Sequence, residues 1–325
     1  MRTRTVWGAT GAALLAAGAL AQSVAARRDR RRFPPPGVLV DVGGGRRLHL
    51  SVMGEPTGGP TVVLETGLGS MSSNWGWVRR DLATSGQVVS YDRAGLGWSD
   101  PDDRPPDAAR SAADLHTALH AAGIAPPYVL AGHSYGGLVV RMFADRYRAE
   151  VAGLVLVDAS HPDQWTHIPA SLGGRTVAAA NLVNAALARF GLLHVLHVEK
   201  SLIAGLPPRE YAELRAFLAR PRAWSTGARV LAAWRRYSRD QVNAARPLGD
   251  LPLVVISVGE QDRYAAVLTA LQTAQATLST NSRHVTVPDA THYTLVSEER
   301  HATFVAGAVR AVLRSVATGQ PVATA

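Results

Sequence analysis

The segment that most constrains the fold of this 325-residue chain is residues 132–137, Gly-His-Ser-Tyr-Gly-Gly. A short apolar run at 128–131, typical of a buried strand, precedes it, and residues 138–144 carry the apolar face of a helix. Ser134 is therefore expected on a sharp turn from strand to helix, where the glycines allow crowded backbone. The helix N-terminus would direct its free N–H groups towards whatever is attached to the serine oxygen. This pattern predicts a nucleophile elbow.

The rest of the chain decides whether the short motif has that meaning. Strand-like runs alternate with helical runs along most of the sequence. The predicted strands are 38–42, 47–52, 61–65, 87–91, 128–131, 153–157, 253–258 and 284–287. Such alternation is typical of an α/β fold with a mostly parallel sheet and helices on both faces. Residues 160–250 lack a strand pattern, which predicts an all-helical cap inserted after the sixth strand.

The N-terminal segment differs in composition from the rest of the chain. Residues 5–26 carry no charge, and a helix of that length spans about 33 Å, enough for a bilayer core. Arginines flank both sides. An uncleaved anchor in the cell membrane is favoured by the arginine block at 27–32, which also indicates a cytoplasmic catalytic domain. A cleaved signal peptide and a secreted protein is the alternative, with the cleavage site near residues 19–21.

Composition excludes several classes of site and partner. The chain has a net charge of +9, but residues 1–32 hold seven arginines and one acid, so they supply six of those charges. The remainder shows no basic stripe interleaved with aromatics, and we expect no nucleic-acid partner. The absence of cysteine excludes disulfides and thiolate chemistry. No metal or cofactor motif is evident, and none is expected.

Two further residues follow predicted strands directly and share the sheet edge of Ser134. Asp262 lies after strand 253–258, and His292 lies after strand 284–287. A serine hydroxyl needs a base within hydrogen-bond reach, and a carboxylate fixes the tautomer of a histidine base. Asp158, which follows strand 153–157, is the rival for the acid, and Glu260 is a weaker one.

With these residues the chain resembles the α/β-hydrolase superfamily, in its lid-bearing esterase/lipase-like branch, over about residues 38–316. The matching segments are the elbow, the glycine-rich loop 91–99, residues 259–262 and residues 291–292. The resemblance implies a serine esterase that forms an acyl-enzyme, with Ser134 as nucleophile, His292 as base and Asp262 as acid.

The same resemblance implies that the backbone N–H groups of Leu68 and Tyr135 form the oxyanion hole. Thr66-Gly67 stands where many members carry His-Gly. The backbone donor survives that difference, but the histidine's support of the loop is lost.

Substrate and organisation are less constrained. We expect a small-molecule ester or amide substrate, with the cap at 160–250 shaping its site. A peptidase or amidase of the same fold, and a non-catalytic membrane-tethered ligand-binding protein, remain alternatives. The predicted division is an N-terminal segment with an Arg/Pro-rich linker at 1–36, a hydrolase domain at 37–317 and a disordered tail at 318–325. The sequence does not give the oligomeric state.

Overall fold

The computed structural model describes residues 2–259 and 265–322, and in these ranges eight strands form one sheet. The strands are β1 (Val38–Asp41), β2 (Arg47–Met53), β3 (Thr61–Glu65), β4 (Val88–Tyr91), β5 (Tyr128–His133), β6 (Val151–Val157), β7 (Leu253–Val258) and β8 (Ser282–Val287). Their spatial order is β1-β2-β4-β3-β5-β6-β7-β8. The pairs β1/β2 and β2/β4 are antiparallel, and the remaining pairs are parallel. The predicted α/β-hydrolase fold with a mostly parallel sheet is confirmed.

Helices connect the strands and form the cap. Those of the described residues are α1 (Arg2–Arg32), α2 (Gly76–Leu82), α3 (Ala108–Ala121), α4 (Gly136–Arg146), α5 (Gln164–His167), α6 (Gly174–Arg189), α7 (Leu193–Leu196), α8 (Lys200–Ile203), α9 (Pro208–Leu218), α10 (Pro221–Ala233), α11 (Arg239–Asn243), α12 (Ala265–Ala276), α13 (Thr294–Ser297) and α14 (Glu299–Thr318). Short 3₁₀ turns span Ser72–Trp75 and Arg148–Glu150, and a π-helical turn spans Trp234–Ser238. Helices α5–α11 lie between β6 and β7, so the cap follows the sixth strand as predicted.

The sheet is buried on both faces. One face packs against α3 and α4 through side chains such as Val63, Leu130 and Leu115. The opposite face packs against α2 and α14 through Val62, Val129 and others. Burial on both faces explains why the central strands are continuous apolar runs in the sequence. The carboxyl ends of the parallel strands then form the edge over which the cap lies.

Helix α1 lies against the cap. The Gln22 side-chain amide donates to the Ala219 carbonyl at 2.9 Å. A Cβ on Gly18 would lie 2.7 Å from the Phe190 carbonyl oxygen, so the helices approach closely there. In the part of the chain that the structure describes, no helix combines the length and the apolar character needed to cross a membrane. The predicted membrane span at 5–26 therefore has no support from the structure.

Candidate active site

The elbow has the strained geometry that its glycines allow. Ser134 joins β5 to α4 with φ of +54°, in the left-handed backbone region that residues other than glycine rarely adopt. A Cβ on Gly132 would lie 2.6 Å from the Gly136 carbonyl oxygen, so the turn tolerates no side chain at that position. The Ser134 amide donates to Val157 of the neighbouring strand at 3.1 Å. The turn presents the half-buried Ser134 to the cavity beneath the cap.

His292 is hydrogen-bonded to Asp158. The distance from His292 Nδ1 to Asp158 Oδ2 is 2.5 Å, and Nδ1 carries the hydrogen because a carboxylate only accepts. Gln272 Nε2 donates to the other carboxylate oxygen at 2.7 Å. Burial opposes ionisation of this carboxyl, yet the hydrogen bond and charge of His292, with the bond from Gln272, hold the pKa of Asp158 below its ordinary value. The arrangement leaves Nε2 of His292 as the basic nitrogen.

The carboxylate that is hydrogen-bonded to His292 is Asp158, which the sequence offered as the rival to Asp262. Asp262 and Glu260 lie outside the described residues, and Asp158, the rival acid, occupies the position beside His292. Sheet register explains the placement. His133 pairs with Val157, so Ser134 and Asp158 are the next residues of adjacent strands. Asp158 has φ of +41°, a second left-handed turn beside the elbow. The signal available in the sequence was that Asp158 directly follows a predicted strand, as Ser134 nearly does, whereas the pairing of the two strands was not available.

The two residues predicted to form the oxyanion hole, Leu68 and Tyr135, follow Gly67 and Ser134, and a Cβ on Gly67 would lie 3.2 Å from the Cβ of Ser134. Leu68 lines the cavity together with Ser134. Tyr135 is the N-cap residue of α4, at a helix end whose first N–H groups have no helical carbonyl to bond. Both amides therefore belong to backbone next to the serine, where N–H groups can stabilise a developing negative charge.

The cavity holds about 500 Å³ and lies between the carboxyl edge of the sheet and the cap. Ser134, Asp158 and His292 contribute to its wall. Much of the remainder is apolar or aromatic, with a few amide side chains among them. Examples from the cap are Trp165, Ile168, Val177, Leu214, Leu218 and Trp224, and the amides are Asn74, Asn181, Asn184, Gln164 and Gln272. A cavity of this composition fits a largely apolar small molecule.

A model of the alpha/beta hydrolase family matches residues 62–308, well over half of the chain. The chain belongs to the alpha/beta hydrolase family. It is 26% identical over 211 residues to YqjL, an uncharacterized protein of Bacillus subtilis strain 168, and the match covers 64% of this chain and 66% of that protein. The chain thus spans slightly less than two thirds of this relative's length.

Solved structures share the fold of this chain. A thermophilic esterase from Thermogutta terrifontis superposes with a TM-score of 0.64 at 23% identity, over 86% of this chain and 99% of that chain. The epoxide hydrolase CorEH gives a TM-score of 0.66 at 19% identity, over 87% and 99% of the two chains. Family membership supports hydrolase activity, while these neighbours cleave different bonds.

Arg93 supports the loop that lacks the family histidine. This buried guanidinium donates to the carbonyl oxygens of Thr66 and Gly67, at 2.6 and 2.5 Å. It also forms an ion pair with Glu65, which is fully buried. The loop that contains Leu68 is therefore held by an arginine from the glycine-rich loop after β4. The sequence pointed to that loop but assigned no role to Arg93.

His133 holds the backbone of the His292 loop. Its Nε2 lies 2.9 Å from the carbonyl oxygen of His292, and the two rings lie 4.6 Å apart. Burial, together with the charge of His292, lowers the pKa of His133 to about 3. His133 therefore stays neutral at physiological pH and donates this hydrogen bond continuously.

Proposed function

We propose that this hydrolase cleaves carboxylic esters through an acyl-enzyme intermediate, with Ser134 as nucleophile, His292 as general base and Asp158 as the acid. The observation that carries the proposal is that a serine in a strained elbow and a carboxylate-bonded histidine share one cavity wall. His292 has the carboxylate partner that a histidine base requires, and it lines the same cavity as the serine that needs a base.

The reaction follows from these positions. Ser134 Oγ attacks the ester carbonyl carbon while His292 Nε2 takes the proton of the serine hydroxyl. The negative charge that develops on the carbonyl oxygen is stabilised by hydrogen bonds from the N–H groups of Leu68 and Tyr135. Collapse breaks the bond to the alcohol, which leaves with the proton from His292. Water then attacks the acyl-enzyme, with His292 again as base, and releases the acid and free Ser134. Asp158 stays ionised and stabilises the imidazolium.

The elbow residue supports ester hydrolysis over epoxide opening, because epoxide hydrolases of this superfamily use an aspartate at that position. Esters and amides are harder to distinguish, since the same residues serve both reactions. The apolar wall of the cavity favours substrates with an apolar acyl or alcohol group and no net charge. An amidase or peptidase remains the second candidate function.

Covalent labelling tests the proposal. A fluorophosphonate probe should label the folded protein at Ser134, and Ser134→Ala should abolish the labelling while keeping the circular dichroism spectrum. A folded wild type that resists the probe would favour the non-catalytic ligand-binding alternative. Rates on p-nitrophenyl esters of graded chain length, set against aminoacyl amides, then separate esterase from amidase.

The cellular location of the protein stays a prediction, with the membrane and the exterior as the two alternatives. Fractionation of cells that express the full chain would test it. An anchored protein stays in the membrane pellet through carbonate washes. A mature N-terminus near Gln22 in the medium would establish signal-peptide cleavage instead.

A further inference from the structure

Three side chains of the kinds that commonly bind metal ions lie together outside the candidate active site. His116 and His120 stand four residues apart on α3, so one turn of helix brings their rings to the same face. Glu150, the last residue of the 3₁₀ turn before β6, places one carboxylate oxygen at each ring. The distances are 3.0 Å from His116 Nε2 to Oε1 and 3.2 Å from His120 Nε2 to Oε2.

We propose that His116, His120 and Glu150 bind a divalent first-row transition metal ion of the Zn²⁺ class. The ligand atoms of the three side chains all lie within 4.8 Å of one another. A tetrahedral ion with bonds of about 2.0–2.1 Å needs ligand atoms about 3.4 Å apart. Small side-chain rotations would bring the three atoms to that spacing.

The donor set indicates the kind of ion. Two imidazole nitrogens and one carboxylate suit zinc, nickel, copper or cobalt, whereas magnesium and calcium prefer oxygen ligands only. The rings are partly ordered before any ion arrives, because His116 stacks on Tyr147 with centroids 3.7 Å apart and planes 4° from parallel. Partial exposure of all three side chains provides an entry path and room for water as a fourth ligand.

The position in the fold indicates a structural ion. β6 begins at Val151, directly after Glu150, so the cluster lies at the amino edge of the parallel strands. Ser134 follows the carboxyl end of β5, at the opposite edge. An ion here would link α3 to the turn before β6, and an ion that binds only the folded chain stabilises it by mass action. The ion should therefore affect stability and leave esterase turnover unchanged.

Calorimetry on the untagged full-length protein, freed of metal by a chelator, tests the site with ZnCl₂. We expect one saturable site per chain. At zinc concentrations about 100 times Kd, the Tm should rise by roughly 2–8 °C. Cobalt bound to the site should give the visible absorption bands of a low-coordinate complex. Absence of saturable binding up to about 1 mM would overturn the proposal and leave the cluster as hydrogen bonds alone.

Substitutions locate the ion. His120→Ala and Glu150→Gln should each weaken zinc binding at least about tenfold, because the first removes a ligand and the second replaces a charged carboxylate with a neutral amide. The exposed His167, on α5 in the cap, supplies the matched control, and His167→Ala should bind zinc like the wild type. Unchanged affinity in His120→Ala would place the zinc elsewhere and refute the assignment. The readouts are binding and melting temperature, so they are independent of the proposed esterase reaction.

Discussion

The substitution Asp158→Asn tests the acid directly. The new asparagine would keep the shape of the side chain and tolerate the left-handed backbone at φ of +41°. Its amide has one oxygen that accepts and one NH₂ group that only donates, whereas the carboxylate accepts at both oxygens. Gln272 donates to Oδ1 at 2.7 Å, so the amide oxygen is expected there and the NH₂ group towards His292.

That orientation reverses the tautomer of the base. An NH₂ group facing Nδ1 of His292 requires Nδ1 to accept, which moves the ring hydrogen to Nε2 and blocks proton transfer from Ser134. We expect kcat to fall about 10⁴-fold, as for other triads, which corresponds to about 5.4 kcal/mol of transition-state stabilisation. The opposite orientation of the amide would place its NH₂ group against the NH₂ group of Gln272. Two donors would then face each other without an acceptor, at a cost of about 1–3 kcal/mol.

Removing Gln272 separates the tautomer effect from the loss of charge. In the double variant Asp158→Asn/Gln272→Leu, the amide can present its oxygen to His292, and kcat should recover roughly 10- to 100-fold over Asp158→Asn alone. No recovery would mean that the lost negative charge, rather than the tautomer, accounts for the defect.

The assay is the steady-state kcat for p-nitrophenyl acetate, with circular dichroism to confirm folding. Asp289→Asn is the matched control, because this carboxylate lies in the same loop as His292, is 63% exposed and pairs with Arg300. Its kcat should stay within about threefold of wild type. Asp262→Asn tests the assignment from sequence. A loss of a thousandfold or more in that variant, with Asp158→Asn within tenfold of wild type, would refute the reasoning.

Three further results are expected. Leu218→Ala, which enlarges the cavity, should change the ratio of long-chain to acetyl ester turnover. The control Leu182→Ala, on the exposed surface of the cap, should not change it. The same ratio in Leu218→Ala as in the wild type would exclude a role of Leu218 in the acyl site. Since the pKa of His133 is about 3 in the folded state and near 6.5 in the unfolded chain, the unfolded state binds more protons below pH 6.5. Stability should therefore fall as the pH drops, by about 2–3 kcal/mol at pH 4.5, and urea titrations of His133→Gln should lack this loss. Arg93→Met should destabilise the fold by about 3–5 kcal/mol because Glu65 stays buried without its partner. Adding Glu65→Gln should restore much of the lost melting temperature but leave kcat at least about tenfold below that of the wild type. That loss is smaller than the 10²–10³-fold effect of losing an oxyanion donor itself. Full recovery of kcat would show that Arg93 acts on stability alone.

The sequence by itself determined the fold class, the cap and the elbow. Each depends on local pattern: the period of apolar residues separates strand from helix, and glycines mark a turn with crowded backbone. Ser134 and His292 could be identified because each lies in the turn or loop that follows a strand. The same local view treated residues 5–26 as a membrane span, and the structure gives that interpretation no support.

Tertiary structure decided which partners those residues meet. Asp158 and Asp262 both follow strands, so the local pattern does not rank them, whereas the hydrogen bond from His292 depends on the order of β5, β6, β7 and β8 in the sheet. Arg93 reaches the carbonyls of Thr66 and Gly67 only because β3 and β4 are neighbours. The periodicity of apolar residues indicates which face of a helix or strand a residue occupies. It does not indicate which residues far apart in the chain come within about 3 Å, the distance that a hydrogen bond requires. Only the packed sheet sets those distances.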